Sequence, residues 1–262
     1  NASRPRAMGA TCSTCNRSAT ASLDMTEDFP AWGAGRPKDA PVNAAATLRQ
    51  SIRAPGDTGQ FRVHLEAQAT LGNDALRQSL RVPWDVTRDE WIACKTVYIF
   101  KEMIFLVSVL EEVCTAETCP RMCAGRDVVY DWLGPGETIP RPLTAYQYMS
   151  ELVNTTHELL AEGTVLPRNG APFPEHFLRE MKTLHRRFFR VYAHAYLHHF
   201  AEVRENNCER HLNYLFKHWL FFARMYDLVT DSEIAPLMEL VRKFEAQADE
   251  VEARMREAGK PP

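Results

Sequence analysis

Residues 87–119 read TRDEWIACKTVYIFKEMIFLVSVLEEVCTAETC. Thr87-Arg88-Asp89-Glu90 is a capping box, with Thr87 as N-cap and Glu90 reaching back to it. The helix it opens is expected to run to about Val113, with Trp91, Ile92, Val97, Phe100, Ile104, Val107 and Leu110 as its apolar positions. These wrap more than half the circumference, and a helix that apolar belongs at the centre of a domain. The segment ends on Cys114 and Cys119. Their spacing joins a helix end to a loop, so both sulfurs can face one point.

Far downstream, HAYLHHF places His194, His198 and His199 on a basic, aromatic segment. Two thiolates and two imidazoles form a natural tetrahedral set for zinc. On a regular helix His194 and His198 lie about 40° apart and His194 and His199 about 140° apart, so helix geometry favours His198 as the second imidazole. A helix end could still present His199. A buried cysteine is more often packing than ligand, and aromatic-flanked histidines are often core. Four protein ligands leave no open position, so such an ion would be structural. His194-Ala195-Tyr196-Leu197-His198 lacks the glutamate of H-E-x-x-H. The zinc deaminase pattern is also missing.

Around these segments the chain reads as mainly helical. Residues 1–70 are rich in Ala, Thr, Ser, Gly and Pro, as in AWGAGRPKDAP, and are expected to be a flexible tail ahead of a helical domain over 71–256. Cys12 and Cys15 are expected to be unpaired tail thiols. Asn73 can cap a short helix through Leu80. Val128–Pro140, VVYDWLGPGETIP, reads as a small hairpin around Gly134-Pro135-Gly136. Thr144 and Gln147 box a helix with Tyr148, Leu152, Val153 and Leu159 inward, ended by Gly163. A segment from Glu175 to about Glu205 follows, then an aromatic helix after Asn207 or Cys208. Thr230-Asp231-Ser232-Glu233 is expected to cap the last helix, solvated after Lys243.

The 262 residues can bury a sizeable core, and 45% hydrophobic with 25% charged residues is ordinary for a globular protein. A net charge of −3 argues against a nucleic-acid partner, so an anion site must be local. Seven cysteines without framework spacing, and no recognisable leader, predict a reducing setting. MIFLVSVL (Met103–Leu110) is too short to span a bilayer.

DEWIACKTV from Asp89, EEVCTAETCPRMCAG from Glu111, APFPEHF from Ala171, RRFFRVYAHAYLHHF from Arg186, HLNYLFKHWLFFARMYDLV from His211 and EIAPLMEL from Glu233 resemble, in order, the Mob (Mps one binder) family. The resemblance covers roughly residues 73–245. It implies a four-helix-bundle core and a structural zinc held by Cys114, Cys119, His194 and His199, with Cys123 a bystander thiol where the family usually has a small residue. It also implies a non-enzymatic adaptor that binds the N-terminal regulatory region of an NDR/LATS-type AGC kinase. Some members also bind a phosphothreonine motif of an upstream Ste20/Hippo-class kinase. Mitotic exit, cytokinesis, proliferation and polarity are the family's processes. The expected setting is cytoplasmic, with nuclear or spindle-pole association, and the expected state is a monomer without membrane insertion.

Two surfaces carry these expectations. Arg186, Arg187 and Arg190, extended by Lys182, form a basic stripe with no glutamate between Lys182 and Val191. Such a run is commonly a solvated face, but guanidinium forks suit phosphate, and the resemblance places these arginines on the family's phosphopeptide pocket. The implied kinase-binding face is the start of the long helix, at Glu90, Trp91, Cys94 and Tyr98. Tyr98 stands where the best-known activators carry Asp, Val86 replaces an acidic residue and Cys94 a valine. Fewer carboxylates weaken attraction for a basic partner, although Asp85, Asp89 and Glu102 could compensate. A family scaffold that has lost strong kinase binding is one alternative. A zinc hydrolase with water in the fourth position is another.

Overall fold

Helices α1 (Asn73–Ser79) and α2 (Arg88–Leu110) open the structure, a computed structural model that describes residues 73–167 and 171–259. The expected tail over 1–70, with Cys12 and Cys15, lies outside the described residues. The capping box forms as read: the Glu90 N–H donates to the Thr87 hydroxyl and the Thr87 N–H to the Glu90 carboxylate at 2.9 Å. Trp91, Ile92, Ala93, Cys94, Thr96, Ile99, Phe100, Met103, Leu106, Val107 and Leu110 are all buried. Most of them fall on one broad face and Trp91 and Cys94 extend it around the first turn, so α2 has neighbours along most of its length while Tyr98 and Lys101 stay exposed.

Those neighbours are α3 (Ala145–Ala161), α4 (Phe177–His198) and α6 (Glu209–Met225), giving a core shared by four helices. Phe100 stacks on Phe188 with ring centroids 6.2 Å apart, and Phe189 meets Trp219 at 5.8 Å. The short α5 (Phe200–Glu205) follows α4, and α7 (Asp231–Ile234) precedes a 3-10 turn and α8 (Met238–Glu257). Strands β1 (Cys123–Ala124) and β2 (Val128–Val129) pair antiparallel, Cys123 with Val129 and Ala124 with Val128, and β1 packs on α4. No helix among the described residues is long and apolar enough to cross a membrane.

Several expected boundaries move. Helix α2 ends at Leu110, and Glu111–Val113 form the turn that delivers Cys114. The hairpin turns at residues 125–127, where Gly125 takes φ +73°, a conformation costly for other residues. The Gly134-Pro135-Gly136 loop is closed instead by a single bridge between Trp132 and Arg141. In α3 Leu159 packs half-buried against the core and its neighbour Leu160 is the more deeply buried, and Gly163 at φ +77° follows the helix end. Thr230 caps only α7, because Pro236 interrupts the segment before α8 begins. Helix α8 keeps Phe244 and Ala248 buried beyond Lys243, and Arg77 on α1 pairs with Asp249 and Glu252.

Candidate metal centre and arginine cradle

The turn after α2 is laced to the start of α3. Cys114 N–H donates to Leu110 O at 2.8 Å, Cys119 N–H to Thr115 O at 2.9 Å, and Ala145 N–H to Cys119 O at 3.1 Å. This places both sulfurs beneath the C-terminal end of α4. The His199 Nε2 atom lies 3.0 Å from Cys114 Sγ and 3.2 Å from Cys119 Sγ; the His194 Nε2 atom lies 3.4 Å from Cys114 Sγ. All four residues are buried, and their donor atoms lie within 4.8 Å of one another. This buried Cys/His group could hold a metal ion.

The ligand geometry rests on where α4 stops. Its last helical residue is His198, and His199 sits at φ −125°, ψ 13°. The regular rotation per residue therefore fails between the two histidines. The His199 ring also reaches the His194 side, with ring centroids 5.1 Å apart, while His198 keeps its helical place stacked on His194 at 4.7 Å. His198 faces the hairpin instead: its Nε2 accepts the Gly125 N–H at 3.1 Å and lies 3.3 Å from Cys123 Sγ. Cys123, His194 and His198 form a second, more exposed group, but His194 is shared with the first.

The protonation states suit a cation. The His194 Nδ1–H donates to the Cys123 carbonyl at 2.9 Å, which fixes the tautomer and leaves the Nε2 lone pair aimed at the sulfurs. Burial pushes the His194 imidazole down to about 4, keeping it neutral at ordinary pH; the Cys123 carbonyl opposes the shift while His199 and His198 add to it. Burial also lowers the His199 imidazole, and its Nδ1 is 3.7 Å from a Glu202 carboxylate oxygen, beyond hydrogen-bond reach. Burial pushes the Cys114 thiol up, followed by the neighbouring Cys119 and Glu202. Two adjacent thiolates in this site need a positive ion between them, as ligation provides.

The three arginines of α4 do not behave as one patch. Arg187 and Arg190 share a cradle of neutral partners. Arg187 Nη2 donates to Leu133 O at 2.5 Å, and its guanidinium lies 4.3 Å from the Trp132 ring centroid. Arg190 Nη1 donates to the Tyr148 hydroxyl at 2.8 Å, above the Tyr130 ring at 4.9 Å. Among the described residues, no carboxylate lies at ion-pair distance from either. Burial lowers the Arg187 affinity for its proton, Tyr148 opposes this, and the adjacent Arg190 and Arg186 add to it. Arg186 turns away: its Nη1 lies 3.3 Å from a Glu233 carboxylate oxygen and its Nη2 donates to Thr183 Oγ1 at 2.9 Å. The stripe therefore has an internal counter-ion from a distant segment. The sequence reading missed Tyr130, Trp132, Tyr148 and Glu233 as parts of this surface. The aromatic run YDW was the one local hint of a guanidinium platform.

At the start of α2, Trp91 is buried and its Nε1–H donates to Leu80 O at 2.8 Å. Cys94 is buried, Glu90 is exposed but engaged in its cap, and Tyr98 stands out 45% exposed. Glu102 is turned inward onto His218, with 2.7 Å between Glu102 Oε2 and His218 Nδ1. It is already paired, leaving Asp85 and Asp89 as the compensating acids suggested from sequence that have no ion-pair partner among the described residues.

The Mob1/phocein family profile matches residues 68–237. "MOB kinase activator-like 1A" of Arabidopsis thaliana is 39% identical over 203 residues, covering 76% of this chain and 93% of that protein. "Maintenance of ploidy protein mob1" of Schizosaccharomyces pombe is 34% identical over 201 residues, covering 76% and 96% respectively. "MOB kinase activator-like 1A" of Medicago sativa subsp. falcata is 36% identical over 198 residues, covering 74% and 92%. The profile spans more than half of the chain, and its matched segment carries the laced cysteine turn, the interrupted histidine helix and the arginine cradle: the chain belongs to the Mob1/phocein family.

Proposed function

We propose that the helical domain over about residues 71–256 is a non-enzymatic adaptor that docks phosphothreonine on Arg187 and Arg190, with Arg186 as an accessory contact. The observation that carries this is the cradle: two guanidiniums side by side, fixed by a carbonyl, a phenol and two aromatic faces, with no carboxylate at ion-pair distance among the described residues. Fixed forks facing a dianion make charge-assisted bonds at little cost in side-chain ordering. The phosphorylated partner is a Ste20/Hippo-class kinase or scaffold, and the second partner is the N-terminal regulatory region of an NDR/LATS-type kinase. The relatives named as kinase activators support a kinase partner. Glu90, Trp91, Cys94 and Tyr98 would form or underlie the kinase face.

Zinc is the ion we assign to Cys114, Cys119, His194 and His199, since two thiolates with two imidazoles suit its tetrahedral preference. Four protein donors would saturate it, so its role is to weld the α2 turn to the end of α4. A hydrolase would need an open position and a base beside it. The setting we assign is cytoplasmic, with a nuclear or spindle-pole pool.

The test is binding of a fluorescein-labelled phosphothreonine peptide pool and its unphosphorylated counterpart. Phosphate-dependent binding lost in Arg187→Ala/Arg190→Ala supports the reading. Equal affinity for both pools would refute it.

A further inference from the structure

Glu233 stands in two roles at once, and its two carboxylate oxygens divide them. Oε2 accepts the Thr230 N–H at 2.8 Å and the Thr230 hydroxyl at 3.0 Å, which caps α7. Oε1 lies 3.3 Å from Arg186 Nη1. The cap anchors the carboxylate. Arg186 is the adjustable member, because it is a long side chain 42% exposed against 29% for Glu233. Arg186 also donates to the Thr183 hydroxyl, one turn back on α4.

The other acids nearby are accounted for. Asp231, on the same short helix, is taken by Arg224, which also binds Glu245 at 3.2 Å. Glu180 lies within 3.4 Å of Arg179 and makes only a minor favourable contribution to Arg187. Glu233 is thus the carboxylate at ion-pair distance from the arginine triad among the described residues.

We propose that Glu233 is a built-in competitor for the anion site, holding Arg186 out of the cradle until a phosphate draws it across. This rests on the phosphothreonine reading above. In the free protein three clustered like charges repel, and Glu233 offsets the outermost one. An arriving phosphate is held first by Arg187 and Arg190, whose partners are neutral. It gains Arg186 only by exchange with Glu233. The resident carboxylate therefore lowers affinity and sets how much negative charge a ligand must bring. It is a specificity-determining residue that touches no ligand itself.

The test uses Glu233→Gln. Its amide oxygen can keep the Thr230 cap while its amino group can no longer attract Arg186. Affinity for the phosphothreonine pool should rise roughly two- to fivefold, the range of a partly exposed ion pair. The gain should vanish in the Arg186→Ala background, where no exchange is possible. Circular dichroism melts of each variant establish that α7 is retained, and Glu233→Asp, which shortens the reach to Arg186, should fall between wild type and Gln. Unchanged or weaker binding in Glu233→Gln overturns the inference, as does a gain that persists without Arg186. If the unaltered chain shows no phosphate-dependent binding at all, the underlying reading fails and takes this inference with it.

Discussion

His199 Nε2 lies 3.0 Å from Cys114 Sγ, across 85 residues of chain, while its neighbour His198 accepts the Gly125 N–H of the hairpin at 3.1 Å. One departure from helical geometry, at His199, decides which imidazole joins the sulfurs.

The first expected outcome follows from that choice. Purified protein should contain about one zinc per chain by elemental analysis. His199→Ala or Cys114→Ser should lose it, and His198→Ala should keep it. Structural zinc contributes on the order of 10 kcal/mol in small domains, comparable with the whole stability of a typical domain. Metal-free variants should therefore lose their cooperative melt. Retention of metal by His199→Ala with loss in His198→Ala would reverse the assignment.

Tyr148 provides a second test, this time of positioning rather than charge. Its hydroxyl accepts from Arg190 at 2.8 Å while the residue is fully buried. Tyr148→Phe keeps the ring and removes the anchor. Phosphothreonine affinity should fall severalfold, and stability by about 0.5–1.5 kcal/mol. An unchanged affinity would mean that Arg190 does not rely on the phenol.

Tyr98 tests the proposed kinase face. It is 45% exposed on α2, so Tyr98→Asp adds a carboxylate without disturbing the core. Association with a basic peptide from an NDR-type kinase should accelerate severalfold and become more salt-sensitive. Stopped-flow rates at two ionic strengths measure this. No change in rate would place the docking face elsewhere.

His185 predicts an acid limit. It is completely buried, its Nε2 paired with Thr96 Oγ1 at 3.1 Å and its Nδ1 without a partner among the described residues. Burial pushes its imidazole down from 6.5 to about 3. The unfolded chain thus binds a proton that the folded one refuses. Stability from this group is complete above the unfolded value and declines as pH falls toward the folded one, by up to about 1.4 kcal/mol per unit. Thermal melts from neutral pH downward should be steeper for wild type than for His185→Gln. Parallel curves would show that His185 is not the group responsible.

Much of this architecture was legible in advance because its causes are local. A threonine three residues before a glutamate or glutamine can start a helix through its own cap bonds, and Thr87 and Thr144 both do so. The apolar wrap of α2 announced a central helix for the same reason. The Gly134-Pro135-Gly136 turn closes only one antiparallel bridge, Trp132 with Arg141, because strand pairing depends on partners outside the turn and β2 found its partner upstream at Cys123–Ala124.

By itself the sequence determined the helical class, the four sulfur and imidazole donors and the arginine spacing; for the second imidazole, helix geometry pointed to His198 and the family resemblance to His199. Only the tertiary structure decided how the His199 ring reaches the sulfurs, that Arg187 and Arg190 lie on Trp132, Tyr130 and Tyr148, and that Glu233 meets Arg186. Each of these joins residues dozens of positions apart, or hangs on where a helix breaks. Packing of the whole core sets such relations, and no local propensity encodes them.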